Sequence, residues 1–343
     1  MRFKSQSRRL LAGLAGGVIG LLAALGAPAP VLAAETTEFR ISRQPGILYL
    51  QVMLMEDKKL VEKHAALMGL NDVKMTWLTI TSGGVSTDNL LAGSLDVVTS
   101  GLSNMLLVWG KTNGGVKAIG AVAGLPLVMV TRNPDVNTIK DFTDKDRIAV
   151  PTLKVSMQST VLGIALEQLY GPGGNTKLDQ IQVQIGHPEA TQAVMNPSHE
   201  INSHFSISPY IEIVLKAPGV HAVLNSSDVL GGPAHITCSM AAQKFVDANP
   251  IKVKAYLAAL DEASEMIAKD PKSAAETYLA MTKEKITADE LVKIITQKGA
   301  IFNATPQRSL PYAEYMNKIS IIKTKATSWK DYFFPAIHDR AGS

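Results

Sequence analysis

The chain has 343 residues, 34 Lys+Arg against 30 Asp+Glu, 46% hydrophobic residues and 19% charged ones, a composition that excludes a disordered chain. Four of the bases, Arg2, Lys4, Arg8 and Arg9, precede residue 34 and no acid does, so the rest of the chain balances 30 bases against 30 acids. That neutrality excludes the basic footprint of a nucleic-acid binder, and the single Cys238 excludes an internal disulfide, a Cys-based zinc knuckle and an iron–sulfur cluster.

The first 33 residues follow an export pattern. A basic stretch to Arg9 precedes an apolar run from Leu10 to Leu25, then Pro28, Pro30 and the small-residue site Val31-Leu32-Ala33, which is the order of a cleaved signal peptide. Cleavage is placed after Ala33, with Ala34 as the alternative. No Cys follows that could carry a lipid, and Ser7-Arg8-Arg9-Leu10-Leu11 shares only part of a twin-arginine pattern, so the general secretory route is expected. No later run of 18 or more apolar residues occurs, so the mature chain is expected to be soluble and periplasmic.

Strand and helix patterns then alternate. Phe39–Ser42 reads as a strand broken at Pro45-Gly46, and a helix pattern follows through Leu50, Met53, Leu60, Val61 and Ala65 to a stop near Gly69. Val73–Ile80 and Leu95–Ser100 read as strands, with a short helix opened by Ser82-Gly83-Gly84 between them. Val116–Val122 and Leu127–Thr131 complete a first block of strands and helices. Arg147–Val150 restarts the rhythm with a helix from Ser156 to Tyr170, the alternating strand Gln180–Ile185, and strands at Glu200–His204 and Val220–Leu224. From Asn249 onward the chain is expected to be helical. Pro follows a cap at Asn249-Pro250 and Asp270-Pro271, and Thr287-Ala288-Asp289-Glu290 is a capping box. This helical tail can pack only on the first block. The fold class is therefore α/β with two lobes: a first lobe of 34–131 plus 237–343, and a second lobe of 132–236 inserted in it.

Catalytic motifs are missing where they would be sought. Gly101-Leu102-Ser103-Asn104-Met105 has Met where a nucleophile elbow needs Gly. Gly171-Pro172-Gly173-Gly174 follows a helix, where it serves as a stop and not as a dinucleotide loop. His199 and His204 are one residue too far apart for a zincin pair, and His187-Pro188-Glu189 lacks the cysteines of a zinc deaminase. No catalytic residue, metal or cofactor is assigned.

In open α/β sheets, ligands bind beyond the carboxyl ends of the strands. The residues there are Arg43, Gln44, Pro45, Gly46 and Tyr49, then Thr81 to Gly84, then Ser103 and Asn104. Later come Lys154, Ser156, Met157 and Gln158, then His187, then His204 and Ser206. Most are small polar residues at helix starts, where the dipole and free N–H groups favour an anion. Each has a structural reading too: Ser and Thr as caps, Gly83-Gly84 as a turn, Arg43 and Lys154 as solvated charges, His204 as a core histidine.

The segments Gly46-Ile47-Leu48-Tyr49-Leu50, Leu90-Leu91-Ala92-Gly93-Ser94-Leu95-Asp96 and Asp141 to Ala149 resemble the extracytoplasmic substrate-binding proteins of nitrate/sulfonate/taurine ABC importers. Leu153 to Gln158 and Ile201 to Ser206 extend that resemblance. It implies a type II periplasmic-binding-protein fold that clamps a small solute between its lobes without chemistry and presents it to a permease and its ATPases, acting as a monomer. By motif position it carries over Tyr49, Gly83, Gly84, Ser103 and Asn104 on one lobe, and Lys154, Ser156, Gln158 and His204 on the other. Arg43 joins them as a charge at a strand end. The sequence has no single dedicated sulfonate or nitrate clamp, so the expected solute is a sulfonate, taurine, nitrate or a carboxylate. Two other readings use the same fold: an enzyme related to thiamine-pyrimidine-precursor synthesis, disfavoured by the export signal, and a ligand-sensing partner without transport.

Overall fold

The computed structural model describes residues 37–343; the export signal and its cleavage site lie outside the described residues. The first sheet contains β1 (Glu38–Arg43), β2 (Lys74–Thr79), β3 (Val97–Gly101) and β4 (Val116–Ala121), joined by a later strand, β11 (Thr237–Ala242), in the order β2-β1-β3-β11-β4. β1 runs parallel to β2 and β3, with Ile41 opposite both Trp77 and Val97. β11 returns antiparallel between β3 and β4. β3 is buried along its whole length, including Thr99 and Ser100, as the central strand of the sheet.

The second sheet holds β6 (Val128–Thr131), β7 (Ile148–Val150), β8 (Gln182–Gln184), β9 (Ser203–Ser206) and β10 (His221–Asn225), in the order β10-β6-β9-β7-β8. A small antiparallel pair, β5 (Ala123–Gly124) with β12 (Ile301–Phe302), stands apart from both. The segment Leu127–Thr131 was expected to complete the first block, but β6 pairs antiparallel with β9 and β10 in the second sheet. An apolar run signals a strand without saying which sheet it joins. Here the partners of β6 lie at Ser203–Ser206 and His221–Asn225, far along the chain. The chain therefore leaves the first sheet before Pro126, not after Thr131. β9 also starts later than Glu200, at Ser203, just after Asn202, whose side chain binds Asp146 and the N–H of Arg147.

The helix pattern from Leu50 to Ala65 is realised as two helices, Leu50–Asp57 and Leu60–Leu67. Lys59 between them adopts a left-handed conformation (φ 50°), which a continuous helix cannot contain. In the tail, Pro250–Lys269 buries Val253, Tyr256, Leu257, Leu260 and Ile267, and its Tyr256 hydroxyl bonds Ser239 Oγ of β11 at 2.7 Å. Asp270 caps Pro271–Thr282, and the Thr287–Glu290 capping box is present at the start of Ala288–Thr296. Asn249 does not cap: its amide donates instead to Phe245 O at 2.9 Å. The end of the tail is also not helical throughout. After Leu310–Lys318 it runs irregularly, and Ala118 of the edge strand β4 donates to Tyr332 O and accepts from Phe334 N. That contact covers an edge that would otherwise offer unpaired backbone. Cys238 is fully buried in β11, and burial pushes its thiol up. Among the described residues, no helix is long and apolar enough to cross a membrane.

Candidate functional site

Between the carboxyl ends of the two sheets lies a small cavity of about 20 Å³, room for roughly one water. From the first sheet it is lined by Gln44, Leu48, Tyr49, Gly101 and Asn104. Facing them are Pro151, Ser156, Met157, Gln158, His187 and Ile207 of the second. Ile236 and Thr237 close it at the start of β11.

The first wall is a connected set of hydrogen bonds. Tyr49 Oη donates to Gln44 Oε1 at 2.8 Å, Ser100 Oγ donates to the same oxygen at 3.2 Å, and Asn104 Nδ2 donates to Ser100 Oγ at 3.2 Å. Gln44 Nε2 donates to Thr81 O at 3.2 Å, which ties the network to the loop before the helix Gly83–Leu91. That helix begins with glycine for a steric reason. A Cβ on Gly83 would press into the Asn104 amide and the Ser100 hydroxyl. Gly84 sits where a Cβ would touch Thr152 of the opposite wall at 3.4 Å.

The second wall is built on helix starts and imidazoles. Ser156 caps the helix Met157–Tyr170 by accepting from Ser159 N at 3.2 Å. Gln158 Nε2 lies 3.4 Å from His187 Nε2, and His187 Nδ1 lies 2.9 Å from His204 Nε2. The ring of Tyr210 stacks on His187 with centroids 6.1 Å apart. Burial holds His187 down to about 3 and His204 well below its ordinary value, so both rings are neutral near pH 7. His204 Nδ1, at the inner end of this line of atoms, is buried with no hydrogen-bond partner among the described residues.

The walls are fastened together around the cavity. Ile47 N donates to Ser208 O at 3.2 Å, and Ser103 Oγ donates to Val155 O at 2.8 Å. The Ser103 N–H meets only a soft acceptor, Met157 Sδ at 3.3 Å. Farther out, Tyr210 Oη donates to Glu284 Oε1 at 2.7 Å.

Of the residues expected at the site, Tyr49, Asn104, Ser156 and Gln158 line the cavity. Gly83, Gly84 and Ser103 lie at the contact between the walls, and His204 sits one ring behind His187. Arg43 and Lys154 are not brought to the cavity. Arg43 Nη2 pairs with Glu56 Oε2 at 3.2 Å, because neighbouring residues of an extended strand point to opposite sides and Gln44 takes the cavity side. Lys154, turned by a positive φ of 65°, lines a separate cavity of about 250 Å³ with Asp179, Gln182 and Tyr315. Gln44 and His187 were legible as strand-end residues, although the family motifs do not carry them over. Ile236 and Thr237 gave no signal, since only the return of β11 brings them there.

Among the described residues, no charged side chain lines the cavity. Its electrostatic character comes from backbone: the helices Leu102–Lys111, Met157–Tyr170 and His187–Met195 all begin at lining residues or next to them. Their positive ends and N–H groups favour negative charge.

No protein-family profile matches the sequence, and no curated protein matches it. The architecture is nonetheless that of the two-lobed periplasmic-binding-protein fold. It is similar to the alkanesulfonate-binding protein of Xanthomonas axonopodis pv. citri, solved with MOPS, at TM-score 0.69 and 14% identity over 88% of this chain and 99% of that one. The periplasmic aliphatic sulphonate-binding protein of Escherichia coli superposes with TM-score 0.63 and 15% identity, over 88% and 99% of the two chains. The periplasmic nitrate-binding protein of Synechocystis follows at TM-score 0.61 and 13% identity, over 89% and 84%.

Proposed function

We propose that the chain is a periplasmic solute receptor of an ABC importer. It binds a small polar or anionic solute of the sulfonate, taurine, nitrate or carboxylate class and delivers it to a membrane permease with its ATPases. In this reading residues 1–33 are a cleaved export signal and the mature protein works as a monomer without metal, cofactor or turnover. From the sequence the lobes are expected at 34–131 plus 237–343 and 132–236; with β6 in the second sheet, the proposed lobes place the first crossover ahead of Val128. The ligand-facing set is Gln44, Tyr49, Asn104, Ser156, Gln158 and His187.

The observation that carries the reading is a cavity walled from both sheets, sealed by contacts between the walls, and aimed at by three helix starts. The sulfonate and nitrate ligands in the names of the structural neighbours point the same way. No catalytic residue is assigned in this reading, and among the described residues the lining holds neither a carboxylate nor a cysteine. A space for about one water is smaller than these solutes require, so the lobes must part to admit one. Only contacts from both lobes can then favour reclosure.

Thermal melting and calorimetry against methanesulfonate, taurine, nitrate, acetate and neutral analogues test this. One class should raise the melting temperature by mass action and be recovered unaltered by mass spectrometry. Chemical conversion of the bound solute, or no stabilisation by any class, would refute the proposal.

A further inference from the structure

The cavity presents a charge problem that its lining does not solve with a Lys or Arg. What it offers instead is a chain of polar atoms running inward: Gln158 Nε2, then His187 Nε2 and Nδ1, then His204 Nε2 and Nδ1. The last atom is buried without a partner. An unpaired buried nitrogen is a cost that folded proteins normally avoid. A lone core histidine would be expected to have both nitrogens satisfied, as His235 does through Asn303 O and Gln307 N.

We infer that an oxyanion enters this cavity together with one proton, which His187 takes from solvent on its Nε2 atom, and that His204 is the positioning residue that makes this uptake possible. The inference rests on the solute-receptor reading above. Without the anion, Gln158 Nε2 donates to the lone pair of His187 Nε2, while His187 Nδ1–H donates to His204 Nε2. The anion supplies a competing acceptor. His187 Nε2 then gains a proton and donates to it, and the Gln158 amide, released from the ring, donates to the same anion. His204 accepts from Nδ1 throughout and so spreads the imidazolium charge away from the cavity.

The groups around His187 are compatible with this. Gln158, His204 and the stacked Tyr210 face it from three separate elements. The acids on the neighbouring elements are Glu189 on its own helix and Glu284 on the Tyr210 hydroxyl, and the shift of His187 itself is due to burial. Desolvation, which keeps both rings neutral in the present structure, is what an adjacent anion offsets.

Nitrate and methanesulfonate are suitable probes because neither titrates in the working range. Their affinity should fall about tenfold per pH unit from about pH 5 to about pH 7, as uptake of one proton requires. Calorimetry in buffers of different ionisation enthalpy should count one proton per anion. His187→Gln should abolish the slope, and His204→Asn should weaken it, whereas loss of mere packing would lower affinity equally at every pH. Anion binding by the unaltered protein with no slope and no proton uptake would overturn the inference and leave the receptor reading intact. Binding of only neutral solutes at every pH would overturn the inference and the anion class with it.

Discussion

The two walls of the cavity solve the same packing problem differently. On the first, Tyr49, Ser100, Asn104 and Gln44 pass their hydrogens along a line that ends on the Thr81 carbonyl, so it is rigid and complete without a ligand. On the second, the Gln158–His187–His204 line ends on a nitrogen with nothing to bond. A satisfied network fixes shape, whereas the 3.4 Å contact of Gln158 Nε2 with His187 Nε2 is one that a bound acceptor can replace. On the receptor reading proposed above, the first wall is then the template and the second the adjustable surface.

Acid should separate the walls most strongly. His187, His204 and His235 are held below their ordinary values by burial, so the unfolded chain takes up protons that the folded one refuses. Their contribution is complete above about pH 6.5 and is lost as pH falls toward the folded values, about 3 for His187 and about 4 for His235. The loss is about 1.4 kcal/mol per pH unit for each ring. Denaturant melts from pH 7 to pH 5 should show the loss, and the pair His187→Gln and His204→Asn should reduce its slope, leaving the part due to His235. Replacements on the first wall should leave the slope unchanged.

Next in size is Gly83→Ala, which tests how rigid the template is. The added methyl must displace the Asn104 amide or the Ser100 hydroxyl, a cost of about 1–3 kcal/mol, with at least a tenfold loss of solute affinity. Melting and titration calorimetry would measure both. If stability falls while affinity holds, the first wall is not a template for the ligand. Tyr49→Phe removes one donor from the Gln44 oxygen and should cost about 0.5–1.5 kcal/mol, read from chemical denaturation.

The smallest effects on binding are expected at the two cations. Arg43→Gln breaks the pair with Glu56, and because the Arg43 side chain is buried it should cost about 1–3 kcal/mol of stability. It and Lys154→Gln should each change anion affinity by less than about twofold, since Arg43 is engaged by Glu56 and Lys154 lines a separate cavity. A selective loss of anions over neutral solutes in titrations of either variant would return that charge to the site.

The fold was largely readable because periodicity, capping boxes and Pro-led helix starts are local signals. Sheet membership is not local, which is why β6 was assigned to the wrong sheet from the same apolar run that identified it as a strand. At the site, the rule that ligands gather beyond strand ends found Gln44, Tyr49, Asn104, Ser156, Gln158 and His187 together. It could not separate Arg43 from Gln44, because which of two adjacent residues faces the cavity depends on the exact strand end. Nor could it reveal Thr237, which only the returning β11 supplies, or the dependence of Asn104 on Gly83, which is a matter of tenths of an ångström.

The seam between the lobes is written partly in main chain. The bond from Ile47 N to Ser208 O needs no side chain, and the Ser103 hydroxyl seeks the Val155 carbonyl, a group present whatever residue stands there. Replacement of the cavity side chains therefore leaves this fastening in place. An architecture shared with another chain at only 14% identity is one that such a seam permits, because its closure asks little of the side chains.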